Sequence, residues 1–139
     1  MRTRLLFAAL STLLFASCAV HPPHGAAGYQ AVPDPTRPQV FVVGDRYPVV
    51  NQEPLVFLRG GGEVTIVWQL PPESKYRFPA NGIVIEGKQD EIVRCGPRNE
   101  GLEFTCLNRH TQPGKYKYTI RVQEGSRPLE PLDPVIYND

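Results

Sequence analysis

The sequence is short of several things, and each shortage excludes a class of protein. It has 15 basic against 14 acidic residues, a formal net charge of +1, so it lacks the strongly basic face that nucleic-acid binding needs. No apolar run approaches the roughly 20 residues of a membrane-spanning helix. Beyond the N-terminal region, the longest stretch free of glycine and proline is Leu102 to Gln112, eleven residues rich in β-formers, which leaves no room for helices of useful length. There is no Cys-x-x-Cys and no Gly-x-Ser-x-Gly. The glycine-rich "RGGGE" at 59–63 is followed by neither Lys-Ser/Thr nor a helical pattern, so it is not a phosphate loop and reads as a flexible hairpin connection.

What is present begins with a leader. Arg2 and Arg4 precede an apolar run, Leu5 to Phe15, eleven residues interrupted only by Ser11 and Thr12, with Ala16 and Ser17 after it. A basic start, a short apolar core and small residues are the layout of a secretory signal peptide. "FASC" at 15–18 resembles the lipobox of bacterial lipoprotein precursors, with Phe15 where that family more often has Leu. The resemblance implies that the Cys18 thiol is alkylated by a diacylglyceryl group, that a peptidase removes residues 1–17, and that the new amino group is acylated. The alternative is an ordinary signal peptide with an incidental cysteine. One acyl chain binds a bilayer only marginally, whereas two or three, at about 0.8 kcal/mol per buried methylene, hold it durably. Ala19, rather than Asp, after the cysteine implies the outer membrane.

Removal of the leader leaves 122 residues with 13 basic and 14 acidic side chains, one domain of ordinary small size. Its first part, "AVHPPHGAAGYQAVPDPTRP" at 19–38, holds five prolines and reads with Cys18 as an extended tether that reaches roughly 60 Å at most. His21 and His24 flank two prolines near Cys18. A thioether is a poor metal ligand, so these histidines are read as a polar spacer, not a metal site.

The rest, 39–139, is expected to be all-β. In "EVTIVWQL", Val64, Ile66, Trp68 and Leu70 share one face. In "KYKYTIRV", Tyr116, Tyr118, Ile120 and Val122 face one way and Lys115, Lys117, Thr119 and Arg121 the other. Weaker strands are "QVFVV" (39–43), "PLVFLR" (54–59), "GIVIEG" (82–87), "EIVRC" (91–95), "LEFTCLN" (102–108) and "PVIYN" (134–138), the last placed at a sheet edge by Pro131 and Pro134. Seven or eight short antiparallel strands predict a small β-sandwich with Trp68, Tyr116, Ile120, Phe104 and Ile85 between two sheets. "PGKYKYTIRV" at 113–122 resembles a late strand of immunoglobulin-like and fibronectin-type modules, which implies an immunoglobulin-like sandwich. Unlike true immunoglobulin domains, both non-leader cysteines follow Trp68, so the inter-sheet disulfide of that family has no counterpart.

With Cys18 lipidated, Cys95 and Cys106 can pair only with each other, around ten intervening residues; export to an oxidising compartment favours that bond. The alternatives, a redox pair or a metal site with His110, fail on spacing and on ligand count. His110 has no recognisable nucleophile or orienting acid, so no catalytic site, cofactor, metal or small-molecule substrate is expected. Two surface features are candidates for contact. The loop "SKYRFPANG" (74–82) offers Tyr76, Arg77, Phe78 and Asn81 for sugars or peptides, unless the aromatics cap the core. The stripe Lys115, Lys117, Arg121 suits an anionic partner, unless it is an ordinary solvated strand face. The functional expectation is a lipid-anchored, non-catalytic envelope protein that binds another envelope protein; the alternative is a passive structural lipoprotein or an inhibitor of a hydrolase.

Overall fold

The computed structural model describes residues 33–139. Among them are twelve strands: β1 (Val40–Val43), β2 (Tyr47–Val50), β3 (Leu55–Phe57), β4 (Val64–Gln69), β5 (Tyr76–Arg77), β6 (Ile83–Ile85), β7 (Ile92–Arg98), β8 (Glu103–Asn108), β9 (Gly114–Ile120), β10 (Gln123–Glu124), β11 (Arg127–Pro128) and β12 (Val135–Asn138). A single 3-10 turn, Asn99–Gly101, joins β7 to β8. No helix among the described residues is long and apolar enough to cross a membrane.

The alternation in β4 and β9 sorts their side chains as expected. Ile66, Trp68 and Leu70 are buried while Thr65 is exposed; Tyr118, Ile120 and Val122 are buried while Lys115 and Lys117 are exposed. One sheet has the order β4-β8-β7 and another β3-β12-β9-β6. They enclose a common core in which the rings of Trp68 and Tyr118 lie 5.4 Å apart. Trp68 Nε1–H donates to the Tyr118 hydroxyl at 3.3 Å, which satisfies both buried polar atoms. Phe104 is fully inside, whereas Tyr116 and Ile85 only pack against the core from its margin. Gly82 has to be glycine, since a Cβ there would stand 2.9 Å from Phe104 Cδ2 and 2.9 Å from Phe78 Cβ. Two smaller sheets complete the fold, the hairpin β1-β2 and the order β11-β10-β5.

The expected strands are all present, and four more, β2, β5, β10 and β11, join them. Three expectations need correction. β12 is not an edge strand: it lies between β9, antiparallel, and β3, parallel. Its prolines stand outside the ladder, with the Pro134 carbonyl accepting from Tyr118 N–H at 3.1 Å, so they block no pairing. The 58–63 connection is not a hairpin, because β3 pairs with β12 and β4 with β8; it crosses from one sheet to the other. The tether does not run to residue 38. Thr36 and Pro38 carbonyls accept from Val67 and Gln69 N–H at 2.8 and 3.0 Å, Pro38 is fully buried, and Gln39 bridges Gln69 in parallel. Residues 36–39 thereby cover the outer edge of β4.

Candidate functional site

The 74–82 loop turns its two aromatic side chains into the core. Tyr76 and Phe78 are 8% and 3% exposed, and the Phe78 ring packs edge-on to Phe104 at 5.9 Å. The aromatics supply more stabilisation in the core than in water, so the strand β5 turns them inward. Arg77 Nη1 donates to the main-chain oxygens of Ser74 and Tyr76, and of the four candidates Tyr76, Arg77, Phe78 and Asn81 the exposed one is Asn81.

The Tyr76 hydroxyl instead donates to Asp45 at the β1–β2 turn. Gly44 and Asp45 take positive φ of 60° and 54°, as a tight hairpin turn requires. Lys75 Nζ reaches Asp45 at 3.2 Å and Glu124 at 2.9 Å, Arg127 pairs with Glu124, and Arg46 pairs with Glu130 at 2.9 Å. The Tyr76 hydrogen bond, with Lys75, holds the Asp45 carboxyl below the usual carboxylate range. Lys75 and then Arg127 do the same for Glu124. These ion pairs link the hairpin turn to the segments that carry β5, β10 and β11.

Glu91 has no counterpart in the expected sites. It is 4% exposed, yet its carboxylate accepts from Thr111 N–H at 2.8 Å, Gln112 N–H at 3.2 Å and the Thr111 hydroxyl. Burial pushes its carboxyl up, but these hydrogen bonds and the nearby Arg109 charge outweigh burial and hold it below the ordinary value. Glu91 thus pins the loop that carries His110. Asn108 Oδ1 accepts from His110 N–H at 3.1 Å, and His110 Nε2 lies 3.3 Å from the Asp139 main-chain oxygen.

His110 looks onto a groove of about 820 Å³ that runs along β3. Val56, Phe57, Leu58, Val64, Pro33 and Pro35 are among the residues that line it. Among the described residues β3 has a sheet partner, β12, on one side only. Asp139 N–H donates to the Phe57 carbonyl at 2.9 Å, so the Phe57 peptide faces β12 and the main chain of Val56 faces away from it. Val56 and Leu58 are 43% and 70% exposed. The sequence signal is "LVFL" at 55–58: four apolar residues without alternation are apolar on both faces, one for the core and one for something else.

The other predicted residues do not gather at this groove. Cys95 and Cys106 form a disulfide between β7 and β8. Lys115 and Lys117 are exposed and Arg121 is half-buried; Lys115 Nζ sits 5.6 Å from the Tyr137 ring centroid. Cys18, His21 and His24 lie outside the described residues. No group of three or more His, Cys, Asp and Glu among the described residues is arranged to hold a metal ion. No family model matches the chain, and no curated protein matches it in sequence. Among the described residues the arrangement defines an all-β, sandwich-like domain with the Cys95–Cys106 disulfide and an apolar groove beside an open strand edge.

Proposed function

We propose that this chain is an exported lipoprotein, acylated on Cys18 and held at the outer membrane, whose β-domain is a non-catalytic binding module for another envelope protein. The observation that carries the binding reading is the open edge of β3 beside an apolar groove. An extended segment laid along β3 would find the unpaired peptide groups of Val56, while its apolar side chains would meet Val56, Leu58, Val64 and the prolines at 33 and 35. Main-chain pairing supplies affinity there, and the groove selects for apolar side chains. The lipobox-like "FASC" supports the anchor.

The test places a photoreactive phenylalanine analogue at Leu58 in the exported protein, with Glu100 as control position. Light should join position 58, not position 100, to an extended apolar segment of one envelope protein, and Val56→Asp should abolish the adduct. No adduct from position 58, or equal adducts from both positions, overturns the groove. An adduct with a soluble hydrolase replaces the envelope partner with an inhibited enzyme.

A further inference from the structure

The hairpin β1-β2 carries most of the exposed large hydrophobic residues among those described. Its register pairs Phe41 with Val49 and Val43 with Tyr47, and cross-strand partners share a face. All four are exposed, while Val40 and Pro48 on the opposite face are buried. Four of the seven exposed large hydrophobic residues among those described therefore lie on one two-stranded surface.

We infer that this face rests in the interfacial layer of the bilayer that holds the anchor. Three observations select the bilayer as occupant. The first is area. Half-exposed aromatic rings offer about 100 Å² each, and with two valines the face falls well short of the roughly 800 Å² per partner of a stable protein interface. A small face suffices only where something else already keeps its partner close, and an acyl anchor does that for a bilayer. The second is position. The described chain begins at Pro33, a few residues before β1 (Val40–Val43). The fourteen residues 19 to 32 between it and Cys18 would reach about 45 Å at most if fully extended, and the hairpin is the first described sheet element after Cys18 in the chain. The third is charge. Every ionised side chain at the hairpin turn is paired: Asp45 with Lys75, and Arg46 with Glu130. Bringing this face against lipid strips no lone charge of its water. Arg46 also lies over the Tyr47 ring, 5.2 Å from its centroid, and aromatic rings beside cations suit the headgroup layer.

The inference rests on the acyl anchor of the proposed function, and the experiment separates the two. The mature full-length protein is reconstituted into vesicles of phosphatidylethanolamine and phosphatidylglycerol doped with a diazirine lipid, irradiated and digested. Lipid adducts are expected on Phe41, Val43, Tyr47 and Val49 and not on Leu58 or Tyr137, which are also exposed. Phe41→Ser with Tyr47→Ser should lose the adducts while the protein still floats with the vesicles. Adducts confined to residues 19–32, or adducts on Leu58 or Tyr137, overturn the inference and leave the anchor intact. Failure of the anchor reads out differently: the Cys18 peptide from the same digest carries no acyl mass.

Discussion

Asn108 and Asn138 put two primary amides into the space between the sheets, each donating to the other's carbonyl oxygen, at 2.8 and 3.0 Å. Buried amides are tolerated because they answer each other. Asn108→Ala strands the Asn138 amide and releases the His110 N–H, at a cost of about 1–3 kcal/mol. Urea unfolding of that variant should show it, and Asn108→Ala with Asn138→Ala should cost less than the two single changes added together. A strictly additive result would mean that the pair contributes nothing as a pair. Glu91 gives a pH signature. Its folded pKa lies below its unfolded one, so its hydrogen bonds contribute stability in full above the unfolded value. That contribution fades as pH falls through the lower, folded value. From about pH 5 to about pH 3 the wild type should therefore lose more unfolding free energy than Glu91→Gln. Equal losses in the two proteins would remove Glu91 from this role.

At the scale of elements, β7 and β8 are joined where their pairing slips. Val93 opposes Leu107 and Gly96 opposes Thr105, so two residues, Arg94 and Cys95, face Cys106 alone. Arg94 takes a positive φ of 53°, as an extra residue in a bulge often does. The disulfide closes at this bulge. Replacing both cysteines with alanine should lower stability by about 2–3 kcal/mol, the chain-entropy value for so short a loop. The urea midpoint reads it, and an unchanged midpoint would show the bond to be dispensable. This pairing was legible in the sequence on the reading that Cys18 is lipidated, which leaves two cysteines and one solution. Strands β4 and β9 were legible because alternation sustained over six or more residues fits a half-buried strand and little else. Strands β5, β10 and β11 were not, since two residues carry no period, and Pro48 masks β2. The neighbours of β12 were hidden for a different reason. β3 and β12 are some eighty residues apart, and nothing local in "PVIYN" records which strands will flank it. The place of Tyr76 and Phe78 was not legible because their composition suits a core and a ligand equally well; the structure buries both.

At the scale of the whole molecule, the domain and the address are separate pieces of information. The fold follows from alternation and from the density of glycine and proline, whereas in the proposed reading the address resides in the first 18 residues and in one sulfur. The β-domain contains no span of its own among the described residues, so in the proposed reading the acyl chains are what retain it at the membrane. Loss of the thiol then has a specific consequence. Without Cys18 there is no atom to alkylate, and the peptidase that acts on the alkylated form has no substrate. Cys18→Ala should accumulate as a precursor about 17 residues longer than the mature wild type, because residues 1–17 stay attached. Its β-domain should still form the Cys95–Cys106 bond, since that depends on export and proximity and not on lipid. Intact-mass measurement on exported protein, with and without reduction, checks both statements. Cleavage of the Cys18→Ala chain to the wild-type length would show that an ordinary signal peptidase acts here, and the tethered reading of this domain would fall with it.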